Sequence, residues 1–208
     1  MPMLKILNLY AGIGGNRKLW GDEHHVTAVE LDDRVAKVYA DMFPNDTVIV
    51  GDAHQYLLEH YSEFDFIWSS PPCPSHSQMR KNMSYGVMGA KALYPDMKLY
   101  EEIVFLKHYC KGKWIVENVK PYYDYLIEPS FMLGRHPYWA NFAVETSIQF
   151  EADGIKNVGA AKTIAERFGY DLSNYNLPDK RKALRNAVNP IMGQLILNAV
   201  TGTNYADL

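Results

Sequence analysis

Cysteine is scarce: the 208 residues carry two, Cys73 and Cys110. Two thiols that far apart exclude a disulfide framework, so a reducing cytoplasm is the expected compartment. No run approaches the roughly 20 apolar residues of a membrane span, so no membrane partner is expected. Positive charge is also in short supply. The chain has 21 Lys and Arg against 24 Asp and Glu, for a formal net charge of −3. Any contact with a polyanion must therefore come from a local patch rather than a global field. The seven histidines share no ligand spacing with the cysteines, which predicts no metal site. No repeat or low-complexity segment is present. The opening Met1–Tyr10 reads as a strand rather than a signal peptide.

What is present is ordinary globular material, 48% hydrophobic and 22% charged, enough for one domain with a real core. Short apolar runs at Leu4–Leu9, His25–Leu31, Thr47–Val50, Phe64–Trp68 and Lys113–Glu117 read as strands. Trp139–Val144 and Ser147–Phe150 are candidates for two more. Helices are expected over Asn16–Trp20, Asp32–Phe43, Gln55–Tyr61 and Asp96–Cys110, with Arg185–Val200 as one closing apolar helix. Alternation of this kind predicts an α/β fold with a doubly wound, mostly parallel sheet, whose ligands bind at the carboxyl ends of the strands.

Three of those ends carry polar or glycine signals. Tyr10-Ala11-Gly12-Ile13-Gly14-Gly15 follows the first strand and allows close approach of an anion to helix N–H groups, or simply a tight turn. Glu30 ends the second strand, placed either to accept ribose hydroxyls or to sit in solvent. Asp52 follows the third, as an acceptor for an adenine amine or as a helix N-cap. Together they fit a nucleoside cofactor with one anionic end. NAD and S-adenosylmethionine both satisfy that description.

Two further ends carry chemistry. Ser70-Pro71-Pro72-Cys73-Pro74-Ser75 places a thiol on a proline-stiffened turn. Glu117-Asn118-Val119 places a carboxyl at the end of Trp114-Ile115-Val116. A nucleophile and an acid at two strand ends is how open α/β enzymes assemble sites. Cys110 falls on an apolar helix face and reads as core.

Leu9–Gly15, Ser70–Cys73, Glu117–Val119 and Arg185-Asn186-Ala187-Val188-Asn189-Pro190, in this order, resemble the motif set of the DNA cytosine-5 methyltransferases. The resemblance runs from about Lys5 to Val200. It implies a Rossmann-like methyltransferase fold acting on double-stranded DNA in a bacterial or phage-infected cell. It implies S-adenosylmethionine as cofactor and S-adenosylhomocysteine as product. Cys73 would add to C6 of a flipped-out cytosine, because C5 alone is too weak a nucleophile to take a methyl group. Glu117 would bond N3 and the exocyclic amine, Arg135 would steady the base carbonyl, and Asn118 would be structural. The cofactor would lie along Tyr10, Ala11, Gly12, Ile13, Gly14 and Gly15, with its ribose at Glu30 and its adenine between Leu31 and Asp52-Ala53. Pro72, Asn186 and Ala187 would complete the pocket. Arg185 stands where the family commonly has glycine, and His136 where it often has a second arginine.

The long loop Ser75–Pro95, with Ser75, Ser77, Gln78, Arg80 and Lys81, reads as a lid that grips phosphate or as a mobile surface loop. Lys180, Arg181 and Lys182 form the dense basic cluster that would add contacts. Residues 1–144 and 183–208 would form the catalytic domain. Only 145–182 remain for target recognition, which implies a short or relaxed site, or a second protomer that adds affinity. Three rival readings follow: cytosine N4 methylation, which the thiol and Glu117 oppose; a transfer-RNA cytosine-5 methyltransferase; and a catalytically weak DNA-binding or partner-activating paralogue.

Overall fold

The structure, a computed structural model, describes residues 3–78, 81–82, 91–146, 165–166 and 168–203. The expected strand Ser147–Phe150 lies outside them, as does Arg80.

Seven strands form one sheet in the order β3-β2-β1-β4-β5-β7-β6. Strands β1 (Lys5–Leu9), β2 (His25–Glu30), β3 (Thr47–Val50), β4 (Phe66–Ser69) and β5 (Lys113–Glu117) pair in parallel. Strands β6 (Phe131–Leu133) and β7 (His136–Ala140) form an antiparallel hairpin against β5. The doubly wound sheet expected from the sequence is therefore present, with an antiparallel edge.

Alternation along each strand decides which face a residue serves. Leu7 and Leu9 of β1 face one side, where helices α2 (Ala53–His60) and α3 (Lys98–Tyr109) bring Leu57, Leu99, Ile103 and Leu106. Ile6 faces the other side, with Trp20, Phe66, Trp68 and the buried residues of the last helix, α5 (Pro190–Thr201). Helix α1 (Asp33–Met42) covers the same side further along through Tyr39, against Ala28 and Phe43. Asp32 caps α1 and Asp52 caps α2, each accepting from backbone N–H groups of the first turn. Such caps are worth about 1 kcal/mol each.

Three expectations need correction. The closing helix is two helices, α4 (Lys180–Asn186) and α5, because Pro190 has no N–H to continue the first and instead starts the second, capped by Asn189. The strand expected at Trp139–Val144 ends at Ala140; its pairing begins earlier, at His136, because the hairpin turns at Gly134, a left-handed residue. Strand β6 carried no sequence signal at all. Cys110 caps the end of α3 and is half-buried rather than a full core residue.

Among described residues of the expected recognition segment, Tyr170, Leu172 and Leu177 are buried against Ile13, Val38 and Leu184. That part belongs to the body of the domain. No helix among the described residues is long and apolar enough to cross a membrane.

Candidate active site

The thiol loop hangs from the segment that follows β5. Trp68 Nε1 donates to Ser70 Oγ (2.8 Å) as the chain leaves β4. Asn118 Nδ2 then donates to the Pro71 carbonyl at 3.0 Å. Past Cys73 the chain turns back: the amides of His76 and Ser77 donate to the Cys73 carbonyl at 3.0 and 3.2 Å. His76 is buried and shares a 2.6 Å hydrogen bond with the Tyr123 hydroxyl, while Tyr122 N donates to the His76 carbonyl. Ser77 bridges to Pro121. Cys73 is thus fixed on both sides to residues 118–123. Asn118 has the structural role expected of it.

Cys73 is a free, half-buried thiol. Burial pushes its pKa up, the negative charge of Glu117 pushes it further, and Lys182 of α4 pulls the other way. Glu117 and Lys182 are therefore both within electrostatic reach of the sulfur, as one carboxyl from β5 and one cation from the basic cluster. The buried Tyr138 hydroxyl, opposite Glu117 in the β5–β7 pairing, is also pushed up by burial and then by Glu117.

The basic side chain beside Glu117 is His136. Arg135 lies exposed on the β6–β7 turn, while His136 Nδ1 lies 3.0 Å from Glu117 Oε1. That nitrogen is shielded from solvent and, despite the short distance, points off the hydrogen-bond direction, so it has no hydrogen-bond partner.

The glycine-rich turn after β1 is tightly wound. Tyr10, Gly12 and Gly14 all have positive φ, of 55°, 57° and 76°. The two glycines adopt this freely; Tyr10 does so at a cost. Its hydroxyl donates to Glu102 Oε1 at 2.6 Å, which holds it there. Glu102 is completely buried on α3 and also accepts from Ser69 Oγ and from His54 Nδ1 at 3.0 Å. The bond to Glu102 raises the His54 pKa above its ordinary value, against the lowering effect of burial. One carboxylate thus ties the ends of β1 and β4 to the start of α2.

Glu30 Oε2 accepts from Gly12 N at 2.9 Å and Oε1 from Asp32 N at 3.0 Å. It braces the turn and retains lone pairs for further donors. Asp52 acts as the N-cap, and its Oδ2 lies 3.5 Å from Lys98 Nζ. Ala53 is buried beside it, and Leu31 is 72% exposed at the neighbouring strand end. Pro72 and Asn186 are exposed and Ala187 is half-buried. The α4–α5 linker packs directly on the turn: a Cβ on Gly15 would meet the backbone of Val188 and Ala187. The structure thus brings Ala187 to the Gly-rich turn.

The remaining expected contacts are more dispersed. Ser75 Oγ accepts from Asp96 N at 3.0 Å. Gln78 is exposed and Lys81 lies over the Tyr122 ring, 5.5 Å from its centroid. Lys180 Nζ donates to the Ser173 carbonyl, while Arg181 and Lys182 are exposed on α4. No cluster of three or more His, Cys, Asp or Glu able to hold a metal occurs among the described residues.

Sequence reading missed Glu102 and His54, and marked His136 only as standing where a second arginine is common. Glu102 had a usable signal: it sits among Leu99, Tyr100, Ile103 and Leu106, a charge on an apolar helix face. His54 had none, since it acquires its partner only through the fold.

Residues 4–121 match the family described as C-5 cytosine-specific DNA methylase. None of the curated protein sequences matches the chain. Among solved structures, a SAM-dependent methyltransferase from Agrobacterium tumefaciens is 13% identical over 59% of this chain and 40% of its own, with a TM-score of 0.41. NSun6 from Pyrococcus horikoshii is 14% identical over 63% of this chain and 40% of its own, at 0.44. A DNMT2 mutant from Spodoptera frugiperda is 26% identical over 56% and 35%, at 0.37. This chain spans less than half the length of all three. The family match covers more than half of the chain and takes in the Gly-rich turn, the Pro-Cys loop and the Glu-Asn-Val strand end, in order: the chain belongs to the C-5 cytosine-specific DNA methylase family.

Proposed function

We propose that this protein methylates C5 of a cytosine in double-stranded DNA through a transient bond between Cys73 Sγ and C6. The observation that carries the reading is the placement of Cys73 and Glu117. The loop bearing the thiol is hydrogen-bonded to the segment bearing the acid, and the sulfur lies within the electrostatic reach of the carboxyl. Thiolate addition at C6 needs a proton donor at N3, and Glu117 is the acid in range. The target base leaves the duplex to reach this depth. Lys182, on the exposed basic helix α4, offsets the carboxylate's effect on the sulfur.

The donor set along three adjacent strand ends fits S-adenosylmethionine: Gly-rich turn, Glu30, and Asp52 with Ala53. When bound there, it supplies the methyl group. Glu30 accepts ribose hydroxyls with the lone pairs left after bracing Gly12. The linker at Ala187 closes the turn's far side.

Tyr170, Leu172 and Leu177 are committed to the core, so few residues remain for reading bases. The recognition site is accordingly short or relaxed, with a second copy of the chain as an added source of affinity. Methylome sequencing of expressing cells checks this; a stringent site of about six or more bases contradicts it.

DNA containing 5-fluorocytosine, with S-adenosylmethionine, should leave a stable adduct on Cys73 that Cys73→Ser abolishes. No adduct, or one that survives the substitution, overturns the mechanism. Trapping on RNA in place of DNA assigns the substrate to the transfer-RNA branch instead.

A further inference from the structure

We propose that His136 holds the proton that Glu117 delivers to the base, an inference that rests on the methylation reading above. Three observations carry it. His136 Nδ1 is 3.0 Å from Glu117 Oε1. The same nitrogen is buried without a hydrogen-bond partner, although the side chain as a whole is 24% exposed. Arg135, the adjacent cation, is on the exposed β6–β7 turn, so the basic group at the carboxyl is the imidazole.

An isolated carboxyl is almost wholly ionised near neutral pH and has no proton to give. An imidazole exchanges its proton in that range. At 3.0 Å the imidazole and the carboxyl are within reach of one shared proton. The proton passes from His136 Nδ1 to Glu117 Oε1 and on to N3 as the Cys73 thiolate bonds to C6. The C5=C6 electron pair moves to C4–C5 and the C4=N3 pair moves to N3, which takes the proton. The N3 proton returns by the same path when C4=N3 re-forms; the C5 proton is then lost to a solvent base as C5=C6 re-forms and the Cys73 thiolate departs. His136 thus acts through Glu117.

The other groups around the pair leave this role to the histidine. Tyr138, next on the same face of β7, is held protonated by burial and by Glu117. Cys73 feels the Glu117 charge from the thiol loop. The α5 side chain reaching this hairpin is Met192, which carries no charge.

The test is single-turnover methylation of duplex DNA from about pH 5.5 to about pH 8.5, comparing wild type with His136→Asn and His136→Arg. The thiolate requirement is common to all three and cancels in the ratio of rates. The Asn variant should be close to wild type at the acid end. It should fall behind by at least about tenfold by neutral pH, and the ratio should then level off. Arg, which keeps its proton, should not restore the rate. A deficit that is the same at every pH, or rescue by Arg, overturns the assignment. If the Asn variant does not fold, His136→Gln replaces it. The 5-fluorocytosine trap on wild type separates the two failures. No adduct removes the methylation reading itself. A normal wild-type adduct with a pH-independent ratio removes only the role of His136.

Discussion

Asn118 donates its side-chain amide to the carbonyl of Pro71 across 3.0 Å, and both residues are buried. The strand that supplies the acid therefore sets the position of the loop that supplies the thiol. Prolines 71 and 72 cannot donate backbone hydrogen bonds of their own, so on the side nearest β4 the loop is held through its acceptors, the Pro71 carbonyl among them.

Asn118→Ala removes that donor and leaves a buried carbonyl unpaired, at a cost of about 1–3 kcal/mol. Thermal unfolding should show the loss. Cys73 should at the same time alkylate faster in the folded protein, because its loop is released on the side nearest β4. A variant with unchanged stability and unchanged alkylation would show that the bond fixes nothing.

The Cys73 thiol should react with iodoacetamide along a pH profile displaced above that of a free cysteine, since burial and the Glu117 charge both favour the protonated form. Glu117→Gln should move the profile to lower pH and Lys182→Ala to higher pH. Measured rates that ignore both substitutions would place the two charges too far from the sulfur to matter.

Gly15→Ala pushes a methyl group into the backbone of Val188 and Ala187, where nothing flexible can give way. The overpacking should cost about 1–3 kcal/mol. Binding of S-adenosylmethionine, followed by calorimetry, should weaken with it, because the same contact shapes the turn. Gly12→Ala offers a contrast: its Cβ meets nothing within 4 Å, so only its left-handed backbone is penalised.

His54 holds its proton more tightly in the folded chain than in the unfolded one, mainly through Glu102. Its contribution to stability is therefore complete below the ordinary imidazole range and is lost as pH rises through the folded-state value. Unfolding midpoints in urea should fall across that window in the wild type and fall less in His54→Asn. Equal slopes for the two proteins would rule out the linkage.

How much of this was legible beforehand depended on the range of the interaction. Strands β1 to β5 stood out as apolar runs because a sheet covered on both faces demands them. Asp32 and Asp52 were readable as caps because capping is local. The division at Pro190 was visible in principle, but the apolar content on either side masked it. Strand β6 is three residues long and owes its pairing to the hairpin, so no periodicity could reveal it. The same limit applied in the site. Cys73 and Glu117 were marked by their positions at strand ends. The choice between Arg135 and His136 was not, because a one-residue difference at a hairpin turn decides which side chain points at β5.

The contact of Gly15 with Val188, and of Gly193 with Asn16, joins opposite ends of the described chain. During synthesis on a ribosome the parallel strands emerge long before the linker that completes the glycine turn. Between the emergence of Glu117 and that of Val188 the nascent chain therefore has all five parallel strands but not the contact that completes the glycine turn. Ligand cannot stabilise it until the last helices dock, and the uncovered apolar face is open to chaperones until then.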